Sequence, residues 1–141
     1  IFQVIFMLKS KDIKFLVVHC SDTPNNSDIG AIEIHKMHIG FGWEGIGYHK
    51  IVRRNGHIED GRPEFWIGAH TYGINHLSLG VCLIGRNKFS NDQFLSLENI
   101  LRTWKYKYPN AVIKGHCEVV KTNKTCPNFN IQEFLEKRNL F

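Results

Sequence analysis

The chain is short of several things that would mark other kinds of protein. Four cysteines in 141 residues are too few for a disulfide-dense scaffold. No C-x-x-C pair is present, which removes thioredoxin-like and zinc-ribbon readings. No apolar run approaches the roughly 20 residues that span a bilayer, so no membrane insertion is expected. Internal repeats and low-complexity segments are missing, and the composition excludes fibrous, collagen-like, coiled-coil and long disordered classes. Acidic residues are in the minority, 13 Asp and Glu against 18 Lys and Arg, for a formal charge of +5. That balance points to an anionic partner: nucleic acid, a membrane surface or an anionic polymer such as a cell wall. The stretch Ile1 to Leu8 is apolar, but it has no basic n-region and no small-residue cleavage site, so it does not read as a secretory signal. Met7 is a candidate start, with residues 1–6 as an upstream extension. Residues 1–12 are set apart from one domain over 13–141.

What is present is enough chain for one core, and a surplus of histidine. With 43% apolar residues, 141 residues bury a core without staples. Eight histidines against two Met and three Trp call for a search for metal and acid–base chemistry. Cys20 and Cys82 lie inside apolar runs and read as buried free thiols, in keeping with a reducing cytoplasm.

Along the chain, Phe15-Leu16-Val17-Val18 predicts a buried strand that delivers His19 at its C-terminal end. A helix follows with Asp28 as N-cap and a stripe of Ile29, Ile32, His35 and Ile39, ended by Gly40 and Gly42. Tyr48 to Arg54 alternates as a strand, Asn55-Gly56 signals a two-residue hairpin turn, and His57-Ile58-Glu59 returns antiparallel. Asp60 to Leu77 is an irregular loop, and Leu79 to Ile84 a central strand. Ser90 or Asn91 caps a second helix with Phe94, Leu97, Ile100, Leu101, Trp104 and Tyr108 at helical spacing, stopped by Pro109. Ala111-Val112-Ile113 is a strand delivering His116, residues 117–130 are a polar loop, and Ile131 to Lys137 is a last helix. Strands alternating with helices predict an α/β single domain, a mixed central sheet flanked by helices.

His19 and His116 at strand ends, with Cys126 in the loop beyond, make a candidate metal set. Two imidazoles and one thiolate leave a fourth tetrahedral position open, the pattern of a catalytic rather than a structural zinc site. On spacing alone, two strand-edge histidines and a buried thiol remain the alternative.

Longer motifs add to that pattern. Val18-His19-Cys20-Ser21-Asp22-Thr23, Gly45-Ile46-Gly47-Tyr48-His49, Gly61-Arg62, Gly68-Ala69-His70, Asn75-His76-Leu77-Ser78-Leu79-Gly80-Val81, Gly115-His116-Cys117-Glu118 and Lys124-Thr125-Cys126-Pro127 occur in one order. This resembles the zinc-dependent N-acetylmuramoyl-L-alanine amidase family, in particular small bacteriophage lysins of the T7-lysozyme type, and more distantly peptidoglycan recognition proteins. The likeness runs from about Ile13 to about Lys137. The resemblance implies hydrolysis of the amide between N-acetylmuramic acid and L-alanine in peptidoglycan. It implies one zinc per chain on His19, His116 and Cys126, a catalytic Tyr48 and a catalytic Lys124. Lys124 would face the developing oxyanion, and Tyr48 would orient water or shuttle a proton.

Other residues are assigned from chemistry and position. His70, Asn75, His76, Trp66 and Arg62 are candidate substrate-binding residues. Tyr72 is a further stacking candidate, and Glu118 is either support for His116 or a solvated carboxylate. His35 and His38 read as one core or capping histidine and one exposed. His49 should pack away from the site, opposite Tyr48. The segment Gly85 to Ser90 is short where many relatives carry a longer loop, which bears on stem-peptide preference.

The partner expected is peptidoglycan rather than nucleic acid, since the basic residues are scattered and no recognition helix appears. Without a visible signal, the product is expected to stay cytoplasmic until lysis or release through a pore made by another protein, and then to act on the wall. Two alternatives on the same fold are a non-catalytic peptidoglycan-binding module and a protein-binding regulator. The complete ligand and catalytic set favours the enzyme.

Overall fold

The structure is a computed structural model that describes residues 7–141. The extension over residues 1–6 lies outside the described residues. Met7 bridges Trp66, the amide of Leu8 donates to the Phe65 carbonyl (2.8 Å), and Leu8 is buried.

Five strands form one mixed sheet. They are β1 (Phe15–Cys20), β2 (Lys50–Val52), β3 (Ile58–Asp60), β4 (Ser78–Leu83) and β5 (Val112–Gly115), in the spatial order β3-β2-β4-β1-β5. The pairs β2/β4, β4/β1 and β1/β5 are parallel, and β2/β3 is antiparallel. The helices are α1 (Ala31–Gly40), α2 (Asn91–Lys107), the short α3 (His116–Val119) and α4 (Ile131–Lys137). The α/β class with a mixed sheet is as the alternation of patterns predicts.

The period of two in each strand sorts its side chains between two faces. Leu16 and Val18 of β1, with Leu79, Val81 and Leu83 of β4, pack against Leu97, Ile100, Leu101 and Trp104 of α2 and Ile131, Phe134 and Leu135 of α4. Fully burying each such side chain contributes about 1.5–3 kcal/mol. The opposite face is smaller and more polar. A second cluster of Ile34, Ile46, Ile51 and Ile84 sits there, and His19 belongs to this face.

Several local expectations shift. The α1 stripe is different from the one predicted: Ile32 and Ile39 are exposed, while Ile34 and His38 are buried. The N-cap is Gly30 rather than Asp28, and Glu33 Oε2 accepts from its amide at 2.8 Å. The hairpin closes with a three-residue loop, not two. Arg53 N donates to the His57 carbonyl (2.9 Å), Gly56 N donates to the Arg53 carbonyl (2.9 Å), and Gly56 takes φ +89. That left-handed residue suits glycine and corrects the strand twist. The segment after His116 is α3 before it becomes loop. α2 carries a true capping box, with Ser90 Oγ accepting from Gln93 N and Gln93 Oε1 from Ser90 N, each at 3.1 Å. α4 spans the predicted residues.

Candidate metal centre and active site

Strand register builds the site. In the parallel pair β1/β5, Val18 lies opposite Gly115. The next residues, His19 and His116, therefore emerge side by side at the C-terminal edge, with ring centroids 4.5 Å apart. Cys126 comes from the loop beyond α3. Its segment is tied to the others through backbone: Cys117 N donates to the Cys126 carbonyl (3.0 Å), and Cys20 N donates to Cys126 Sγ (3.1 Å). One donor atom from each of His19, His116 and Cys126 lies within 4.8 Å of the others.

That donor set fits a zinc ion. Bonds of about 2.0–2.3 Å in a tetrahedral site space the ligand atoms by roughly 3.3–3.8 Å, inside the 4.8 Å that bounds the three donor atoms here. Burial pushes the His19 imidazole well below its ordinary range, with the nearby His70 and His116 adding to it. Burial also lowers His116, helped by the Lys124 charge. Both rings are thus neutral and keep a lone pair. The Cys126 thiol is pushed up, first by its contact with Cys20 and then by burial. A bound cation reverses that direction, since a coordinating thiol is deprotonated.

His19, His116 and Cys126 line a cavity of about 430 Å³ with Tyr48, Trp43, His70, Lys124 and Asn128 among its other walls. Burial pushes the Tyr48 phenol well above its ordinary range, so it is a neutral donor. Its ring lies 5.1 Å from that of His19. Lys124 is exposed on the rim.

The other sequence candidates separate. His70 is in the cavity wall yet only 9% exposed, and its Nδ1 lies 2.9 Å from His19 Nε2. Asn75, His76, Trp66 and Arg62 are not brought to this cavity. Asn75 Oδ1 accepts from the amides of His70 (2.9 Å) and Thr71 (2.8 Å), so it shapes the loop that carries His70. Arg62 donates to the carbonyls of Ile46 (3.1 Å) and Ile67 (2.8 Å) rather than to a carboxylate. Trp66, His76 and Tyr72 are exposed elsewhere. Glu118 Oε1 accepts from Gly115 N (2.8 Å) and so braces the turn that presents His116. His38 Nδ1 accepts from Gly47 N (2.9 Å), and the exposed His35 accepts from Ile46 N (3.0 Å). His49 does not line the cavity that holds His19, His116 and Cys126. Its Nδ1 accepts from Gly80 N (3.0 Å) and its Nε2 donates to the Trp66 carbonyl (2.8 Å).

Sequence reasoning missed Trp43, whose ring stands 4.6 Å from His38 at the cavity edge. It also missed Thr71, Ser78 and Asn128. A tryptophan after a helix-ending glycine is the one local signal that pointed there.

Comparison with known proteins agrees with the geometry. The endolysin of Escherichia phage T7 is 40% identical over 133 residues, covering 89% of this chain and 87% of that protein. The amidase LysC of Clostridium intestinale superposes with a TM-score of 0.81 at 31% identity, covering 95% of this chain and 91% of that one. Drosophila PGRP-LB shares the fold, with a TM-score of 0.76 at 23% identity over 92% of this chain and 83% of that one. Residues 9–129 match the family described as N-acetylmuramoyl-L-alanine amidase. With its motifs in order along the chain and its donor atoms gathered at one sheet edge, this chain belongs to that amidase family.

Proposed function

We propose that this chain hydrolyses the amide between the lactyl group of N-acetylmuramic acid and L-alanine in peptidoglycan. It does so with one zinc ion held by His19, His116 and Cys126, and it serves as a phage or prophage endolysin. The observation that carries the reading is the convergence of those three donor atoms within 4.8 Å, in a cavity that Tyr48 and Lys124 also line. Zinc in such a three-ligand site lowers the pKa of water to about 7 and polarises a carbonyl.

The chain's own groups do the rest. The neutral Tyr48 hydroxyl orients water at the open side of the site or passes a proton. The Lys124 ammonium stands where negative charge develops on the scissile oxygen, a role worth roughly 3 kcal/mol. Trp43 offers an aromatic wall to the sugar or stem peptide, and Asn128 a polar one. Asn75 contributes to binding through the loop that carries His70, Trp66 and Arg62 from a separate groove of about 410 Å³ that they line together, and the exposed His76 from the loop before β4. Residues 13–141 are taken as the catalytic domain.

Among the described residues, no helix is long and apolar enough to cross a membrane. We place the protein in the cytoplasm until a pore made by another protein, or lysis, admits it to the wall. Digestion of purified peptidoglycan with and without chelator tests the reading. New L-alanine amino termini without new reducing sugars, lost with chelator, are expected; reducing sugars instead would make it a glycosidase.

A further inference from the structure

We infer that Ser78 and His70 form a one-way hydrogen-bond relay that sets the tautomer of His19, which makes His70 a positioning residue of the metal centre. The inference rests on the proposed zinc site at His19, His116 and Cys126.

The relay starts at a backbone carbonyl. Ser78 Oγ donates its single proton to the Ile74 carbonyl at 2.8 Å. It then has only lone pairs to offer His70 Nε2, at 3.4 Å. A hydroxyl that presents lone pairs is met by an N–H, so the His70 proton sits on Nε2 and its Nδ1 is an acceptor. That Nδ1 faces His19 Nε2 at 2.9 Å and Thr71 Oγ1 at 2.9 Å. Thr71 Oγ1 is itself 3.3 Å from His19 Nε2. Whichever of the two accepts, the proton it takes is on His19 Nε2. His19 Nδ1 is left with the lone pair a metal needs. The opposite arrangement, with the proton on His70 Nδ1, would set a bare Nε2 against bare oxygen lone pairs in a buried place, leaving both without a partner.

The surroundings are built to hold this ring. A Cβ on Gly80 would stand 2.6 Å from His70 Cγ, so the ring lies flush on the β4 backbone. Asn75 fixes the amides of His70 and Thr71. A ligand histidine whose second nitrogen is anchored keeps its orientation and its basicity, and losing that anchor typically weakens metal binding about 10–100-fold.

Nitrogen-15 NMR of the metal-free protein reads the tautomer directly. His19 should show a protonated Nε2 and a bare Nδ1 before any zinc is added, and that ring should become a tautomer mixture in Ser78→Ala and His70→Ala. Zinc titration should find the two variants weaker, His70→Ala by about 10–100-fold. His70→Asn, which keeps an acceptor at the δ position, should recover most of the loss. A wild-type His19 carrying its proton on Nδ1, or zinc affinity unchanged in a folded His70→Ala, overturns the relay. If the variants do not fold, the wild-type spectrum alone decides. A wild type that has the expected tautomer but binds no zinc overturns the metal reading, and with it the positioning role.

Discussion

The sulfur of Cys126 receives the amide of Cys20, a residue 106 positions earlier in the chain. The metal set thus depends on single atoms brought from distant segments. Cys126→Ser replaces a soft thiolate with a poorly acidic hydroxyl. It should lose bound zinc on metal analysis and lose wall digestion with it. Lys124 is exposed and holds no part of the core, so Lys124→Ala should keep zinc and fold. Its kcat should fall by about 100–1,000-fold, the cost of removing one oxyanion donor. A variant that digests walls at the wild-type rate would remove Lys124 from the mechanism. Tyr48→Phe keeps the ring against His19 and His38 and removes only the hydroxyl. We expect kcat down by about 100-fold with little change in KM or zinc content, by steady-state kinetics on a muropeptide.

At the scale of elements, the first turn of α2 is joined to the sheet through Gln93. Its Oε1 accepts from Ser90 N and from Arg54 Nη1, and its Nε2 donates to the carbonyls of Val52 and Ile84. Gln93→Ala removes all four bonds: the amide of Ser90 loses its partner, while the Val52 and Ile84 carbonyls keep only the amide of Ile84 and Arg54 Nη1. It should lower stability by roughly 1–3 kcal/mol in urea denaturation while zinc content stays unchanged. α1 shows why periodicity alone misplaced a face. Its apolar residues mark Ile32 and Ile39, yet the buried side carries His38, which is admitted because its Nδ1 has the Gly47 amide to accept. A satisfied buried histidine is invisible to a hydrophobic pattern. The long loop before β4 was legible as a polar, aromatic wall. Which of its side chains turn inward was not, because no local spacing distinguishes His70, nearly buried under the cavity, from the exposed His76.

For the molecule as a whole, several histidines are buried as neutral rings. Burial lowers His19, His38 and His70, and takes His49 to about 4. The unfolded chain binds protons at these rings near pH 6.5 while the native one does not. The unfolded state therefore holds more protons between about pH 6.5 and 4, and stability falls as pH falls through that window. His49 alone accounts for roughly 3 kcal/mol. The melting temperature of chelator-treated protein should drop steadily from pH 7 to 4.5, and a flat profile would mean these rings are not buried neutral. The +5 charge, which by itself left nucleic acid and membranes open, fits an anionic cell wall once the site is seen.

The sequence by itself determined the chemistry on offer. Residue type decides what a donor can bind, and the short apolar run Phe15 to Val18, ended by polar, turn-forming residues, decides that His19 stands near a strand end. The order of the short motifs likewise needed no coordinates. The tertiary structure alone decided that Val18 pairs with Gly115, so that His19 and His116 meet. It alone decided that Trp43 and not Trp66 stands at the cavity, and that His70 turns its Nδ1 toward His19. The physical reason is the same in each case. Strand register and ring orientation are settled by contacts between segments far apart in the chain, and those leave no trace in local composition or spacing.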